Sequence, residues 1–183
     1  VNANVVLFWQ ENLPSLWRDT YVNSIIHQTY LVHLRLGAFE YICDVYSDLE
    51  ARGEVAYDQS LQHRVVAAFG FSGARTSERT PSSRRIDPDE HLAIAEHDNG
   101  HLIAHCIGGS GINVNVFSQD RSLNRGRSAQ GKIYRQMETY CYEQPGTFCF
   151  SRPLYNDASN VPRWLEFGVL KDDKTLWVVV FDN

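Results

Sequence analysis

An α+β fold, an antiparallel sheet preceded by an added N-terminal helix, is the class this sequence predicts. Short β-prone runs separated by turn residues fill the middle and the end of the chain. Helical spacing of apolar residues appears at the start and again over 131–143. No internal repeat, low-complexity tract or linker divides the 183 residues, so one domain over 1–183 is expected.

Taken in order, Trp17, Tyr21 and Ile25, with Val22, Ile26, Tyr30 and Leu34 beside them, predict an amphipathic packing helix over 14–36, inside a helical extension spanning 1–37. After Gly37 the period changes. "EYICDVY" (40–46), "EVAYD" (54–58) and "RVVAAFGF" (64–71) predict a meander of strands. Residues 72–90, rich in Ser, Arg, Pro and Asp, predict a long surface loop, and "DPDEHLAIAEH" (87–97) a short helix capped by Asp87 with Pro88 in its first turn. "HLIAHCI" (101–107) and "INVNVFS" (112–118) predict two strands joined by a tight turn at "GGSG" (108–111). "GKIYRQMETYCYE" (131–143) is a helix, and "FCFSRPLY", "RWLEFGVL" and "TLWVVVFD" return the chain to strands.

Composition narrows the function classes. Hydrophobic residues make up 43% and charged residues 21%, which reads as a soluble globular chain, and no apolar run is long enough to span a bilayer. A start at Val1 fits a mature form or an excised fragment, so the sequence leaves room for a signal peptide already lost. The net charge of −5 argues against general affinity for nucleic acid, yet residues 121–135 hold five basic residues and no acidic one. Four cysteines (Cys43, Cys106, Cys141, Cys149) form no C-x-x-C pair; four buried thiols are expected, with a Cys141–Cys149 bridge across Pro145-Gly146 as the alternative.

His97, His101 and His105, four apart, would stack on one face of a helix as a zinc site requires. Asp98-Asn99-Gly100 between the first two favours a turn instead, and His101 is followed by Leu102 rather than the Glu of H-E-x-x-H. "GGSGI" fits neither the nucleophilic-serine pattern nor a phosphate-binding loop. On these grounds His101 emerges alone at the start of a strand, with His105 sharing a sheet face with Ile103.

Residues 98–143 thus outline a hairpin followed by a helix. "DNGHLIA" (98–104) resembles the D-x-G-H-L-x-A signature of the DNA/RNA non-specific endonuclease family. "NVFSQDRSLNRG" (115–126) is similar to that family's N-x-x-x-Q-x-x-x-L-N-x-G segment, and "YRQMETY" (134–140) to the stretch that opens its helix. The resemblance implies a ββα-metal core over 98–143. It also implies a Mg²⁺-dependent hydrolase (Mn²⁺ as substitute) acting on DNA, RNA or both.

By the same resemblance His101 is the general base, Asn124 the protein's direct ligand to Mg²⁺, and Asn115 a supporting residue that orients the histidine. Glu138 is the acidic residue that holds water around the metal. Imidazole suits its task because its ordinary pKa of about 6.5 leaves it mostly neutral near pH 7. One amide ligand suits Mg²⁺, which dehydrates reluctantly and keeps several waters. Each residue also has a bland reading: a core histidine, a loop asparagine in a left-handed turn, a strand asparagine, a surface glutamate.

Two departures stand out. Asn99 occupies a position where many members carry Arg, so another cation must face the phosphate; Arg125, next to Asn124, is the expected one, with Arg121, Arg127 and Lys132 as substrate-binding residues. "RSAQGK" also lengthens the link between Asn124 and the helix. The flavour of the motifs resembles nuclease domains of bacterial secreted toxins, implying delivery into a target cell and a cognate immunity protein. The competing expectations are a catalytically degenerate nuclease fold acting as a binding module, and a zinc-stabilised domain using His97, His105 or Cys106.

Overall fold

A computed structural model describes residues 30–45, 63–74, 96–156 and 160–183. Among the described residues, six strands form one antiparallel sheet in the order β1-β2-β3-β6-β7-β8: β1 (Tyr30–Leu36), β2 (Phe39–Val45), β3 (His63–Phe71), β6 (Phe148–Leu154), β7 (Trp164–Leu170) and β8 (Leu176–Asp182). A separate antiparallel pair, β4 (His97–His101) and β5 (Val116–Asp120), leads into a short helix α1 (Arg121–Asn124) and the long helix α2 (Ala129–Glu143). The α+β class is as expected, as are the strands near 40–46 and 64–71, the three C-terminal strands and the helix over 131–143. The strand expected over 54–58, the helix expected over 87–97 as far as residue 95, and the helical run up to residue 29 lie outside the described residues; His97, the last residue of that helix, instead begins β4.

Two expectations are corrected. Tyr30–Leu36 is not the end of a helix but edge strand β1, paired with β2 from Tyr30↔Val45 to Leu36↔Phe39. Val32, Leu34 and Leu36 are half-buried while His33 and Arg35 are exposed, the alternation of a strand with one packed face. The second concerns the hairpin. "HLIAHCI" is not a strand and "GGSG" not its tight turn; β4 ends at His101, and residues 102–115 form a long connection containing short 3₁₀ turns at His105–Ile107 and Asn113–Asn115. Leu102, Ile103, Ile107 and Val114 are completely buried, so this connection is apolar because it fills the core.

That core lies between one sheet face and the β4–β5–α2 unit. Phe39, Tyr41, Val65, Phe167, Val169 and Phe181 supply the sheet side; Leu123, Tyr134 and Met137 the other. Tyr134 meets Phe167 and Phe181 edge-on, each with ring centroids 5.4 Å apart, and so seats α2 over β7 and β8.

Candidate active site

The β4–β5 ladder runs from His97↔Asp120 to His101↔Val116, which puts His101 on its last rung. Beyond it the chain is gripped by Asn115. The backbone N–H of Leu102 donates to the Asn115 carbonyl at 2.9 Å. The buried Asn115 side chain then behaves like a strand partner: Oδ1 accepts from the Ile103 N–H at 2.9 Å, and Nδ2 donates to the carbonyls of Ile103 and Ser110 at 2.8 and 2.7 Å. The strand expected over 112–118 begins only at Val116; Asn113 and Asn115 are buried in a 3₁₀ turn before it. Asn115 therefore acts on the main chain that follows His101.

From β5, Asp120 caps α1 by accepting from the Leu123 N–H at 2.7 Å and the Ser122 hydroxyl at 2.6 Å, and Ser128 caps α2 through the Gly131 N–H. Gly131 allows the two helices to touch: a Cβ there would lie 2.6 Å from the Ser122 carbonyl oxygen. This close approach brings Asn124, the last residue of α1, alongside Glu138 of α2.

His101, His105, Cys106, Asn124, Arg135 and Glu138 line an open cavity of about 260 Å³. Glu138 is 6% exposed, and its carboxyl is held above the ordinary value by burial, with the Arg135 guanidinium and the Tyr134 hydroxyl pulling the other way. Arg135 donates from Nη1 to Glu138 Oε2 at 2.9 Å and from Nη2 to the Asn124 carbonyl. The Tyr134 hydroxyl donates to the His101 carbonyl at 3.4 Å. His105 Nδ1 lies 3.1 Å from the Gly109 carbonyl; a carbonyl only accepts, so that nitrogen carries the proton. Burial, then Glu138, raises the Cys106 thiol, which disfavours the reactive thiolate.

Three of the expected site residues, His101, Asn124 and Glu138, share this cavity. Arg125 does not line it. Its Nε and Nη2 donate to the two carboxylate oxygens of Asp98 at 2.6 and 3.0 Å, and Arg121 Nε reaches the same carboxylate at 3.1 Å. Burial raises the Asp98 carboxyl, but the two arginines outweigh it and hold the group below its ordinary value. Arg127 and Lys132 are exposed and lie outside the cavity lining. The cation at the cavity is Arg135, which the sequence reading counted in the basic stretch without singling it out. Its signal was its place three residues before Glu138 on one helix, where side chains meet. His105 was likewise missed as a lining residue.

His97 is not stacked on His101. The five-residue strand β4 separates them by about 13 Å, and His97 Nδ1 lies 2.9 Å from the Ser118 hydroxyl. Among the described residues no three His, Cys, Asp or Glu side chains come together as a metal cage.

A family model for DNA/RNA non-specific endonucleases matches residues 56–172. The chain belongs to this family. The three motif segments of this endonuclease-family chain all fall inside the matched stretch, on β4, β5–α1 and α2. A search of curated proteins returned no match. Among solved structures, one described as the Sda1 nuclease with bound zinc ion is similar at 15% identity and a TM-score of 0.44, covering 84% of this chain and 89% of that one.

Proposed function

We propose that this chain is a Mg²⁺-dependent endonuclease that hydrolyses phosphodiester bonds of DNA, RNA or both with little sequence preference. The observation that carries the reading is the convergence of His101, Asn124, Glu138 and Arg135 on one cavity. The donor set fits Mg²⁺: one amide oxygen and one buried carboxylate suit a hard cation that retains most of its waters, and Mn²⁺ takes the same ligands. Asn124 would hold the ion directly and Glu138 through water. When bound, it would neutralise charge on the scissile phosphate and the leaving oxygen.

The protein's own groups supply the rest. The His101 imidazole takes the proton of the attacking water. Asn115 and the Tyr134 hydroxyl fix the main chain that leaves His101, so that little reorientation is needed during reaction. Arg135 offsets part of the burial that disfavours the Glu138 carboxylate and is the cation that lines the cavity, in place of the arginine many members carry at position 99. No helix among the described residues is long and apolar enough to cross a membrane. A toxin domain delivered into a target cell, with a cognate immunity protein, is the setting the motif resemblance favours.

Asn99 and the Asp98–Arg125 pairing favour one alternative, a degenerate fold that binds without cutting. Plasmid DNA and total RNA, each incubated in Mg²⁺ and in EDTA beside His101→Ala, decide between them. Expected is cleavage that requires Mg²⁺ and falls about a hundredfold or more in the variant. Equal inactivity of both proteins in Mg²⁺ and Mn²⁺ would overturn the nuclease reading.

A further inference from the structure

Helix α2 has a second working face. Tyr134, Met137 and Cys141 point into the core, whereas Lys132, Gln136, Thr139 and Glu143 form an exposed stripe at helical spacing, about 16 Å long. With Arg125 from the end of α1, and Tyr140 and Trp177 on the far side, this stripe borders an open groove of about 710 Å³. Arg135 lines both this groove and the catalytic cavity, so the two adjoin.

The groove changes character along its length. Near the cavity it is cationic, through Arg135, Lys132 and Arg125, whose guanidinium Asp98 holds in place at the edge. At the far end it is aromatic, with the exposed Glu143 carboxylate on its rim. Lys171 Nζ stands 4.7 Å from the centre of the Trp177 ring, and the Tyr140 hydroxyl accepts from the Asp172 N–H at 3.1 Å, tying the turn after β7 to α2. Cations followed by aromatic rings are the chemistry of single-strand binding, because only an unpaired base can turn its face to a ring. A duplex offers such a groove its phosphates alone.

We infer that this groove seats an unpaired polynucleotide strand adjoining the scissile phosphate, with its backbone along Arg125, Lys132 and Arg135 and a base against Trp177. The inference rests on the nuclease reading of the cavity and adds a substrate class to it: single strands are bound better than duplexes.

Two measurements on the full chain separate the groove from the cavity. The first uses the His101→Ala protein and follows binding of a short fluorescent single strand and of its duplex by anisotropy. The single strand is expected to bind more tightly. Adding Thr139→Glu, at an exposed position, or Trp177→Leu, which removes the ring but keeps apolar bulk, should weaken single-strand binding about tenfold. Lys132→Ala should lower the slope of log affinity against log salt by about one. The second returns to the active protein and compares single-strand cleavage with hydrolysis of bis(p-nitrophenyl) phosphate, a diester too short to occupy the groove. Thr139→Glu should lower the ratio of the two rates about tenfold. Duplex binding as tight as single-strand binding, or unchanged affinity in both Thr139→Glu and Trp177→Leu, would overturn the groove. An active-site failure shows differently: no hydrolysis of either substrate by the wild type, with single-strand binding by the His101→Ala protein intact.

Discussion

Gly100 lies directly against the side chain of Gln119: a Cβ on Gly100 would sit 2.1 Å from Gln119 Oε1 and 2.5 Å from its Cβ. The two residues come from different motif segments and face each other diagonally across the β4–β5 ladder, where Gly100 pairs with Phe117 and Gln119 with Asp98. Gln119 is completely buried, so it cannot swing into solvent. The glycine is required for space beside this side chain.

Gly100→Ala should therefore destabilise the protein by about 1–3 kcal/mol, the usual cost of overpacking a tight core. Urea unfolding measures it. Because the clash involves the Cβ of Gln119 as well as its flexible end, only shortening that residue relieves it in part. The double variant Gly100→Ala/Gln119→Ala should recover some of the loss; strictly additive destabilisation would refute the contact.

The same glycine shows what was legible in the sequence. Asp98-Asn99-Gly100 reads locally as a turn, and local chemistry cannot reveal that Gln119, nineteen positions on, lies against the glycine. "HLIAHCI" reads as a strand because it is apolar, yet its burial comes from plugging the core as an irregular connection. By contrast, β2, β3, β6, β7, β8 and α2 keep a regular period and were all foreseen in type. Asn124 and Glu138 were named from short polar signatures, and the fold brings both to the cavity. Arg125 was misplaced because adjacency to Asn124 says nothing about direction, and Asp98, twenty-seven residues earlier, captures its guanidinium.

Asn115 offers a sharper test of positioning. Asn115→Ala removes three side-chain hydrogen bonds and leaves the buried Ile103 N–H without that acceptor, a loss of about 2–4 kcal/mol. Asn115→Asp keeps the acceptor but turns a carboxylate toward the carbonyls of Ile103 and Ser110, so it should be at least as damaging. Cleavage assayed well below each variant's Tm should still fall about tenfold or more, since the connection after His101 is no longer pinned. Full activity in a folded Asn115→Ala protein would show that the clamp serves stability alone.

Asp98 and Arg125 form one unit, and their variants should behave as one. The arginines on Asp98 are about half-exposed, so Asp98→Ala should cost no more than about 1 kcal/mol in unfolding measurements. Its effect on cleavage should be larger, about tenfold, because the pair ties α1, and with it Asn124, to β4. Assayed with bis(p-nitrophenyl) phosphate, which does not reach the groove, Arg125→Ala should match Asp98→Ala, and the double variant should be no worse than either. Additive losses would mean that Arg125 acts on substrate independently of Asp98.

His97 sets a pH limit on the β4–β5 pair. Burial holds its pKa below the ordinary imidazole value, and Arg121 adds to this; Asp120, the Ser118 contact and Asp98 oppose it without cancelling it. The unfolded chain takes up the proton at about pH 6.5, before the folded protein does. The stabilisation His97 provides is thus complete above that pH and is lost as the pH falls through the lower, folded-state value. Thermal unfolding from pH 7.5 down to 5.5 should show a smaller fall in Tm for His97→Gln, whose amide can still meet the Ser118 hydroxyl, than for the wild type. Parallel Tm curves for the two proteins would remove His97 from the acid sensitivity and leave the ladder's stability independent of its charge.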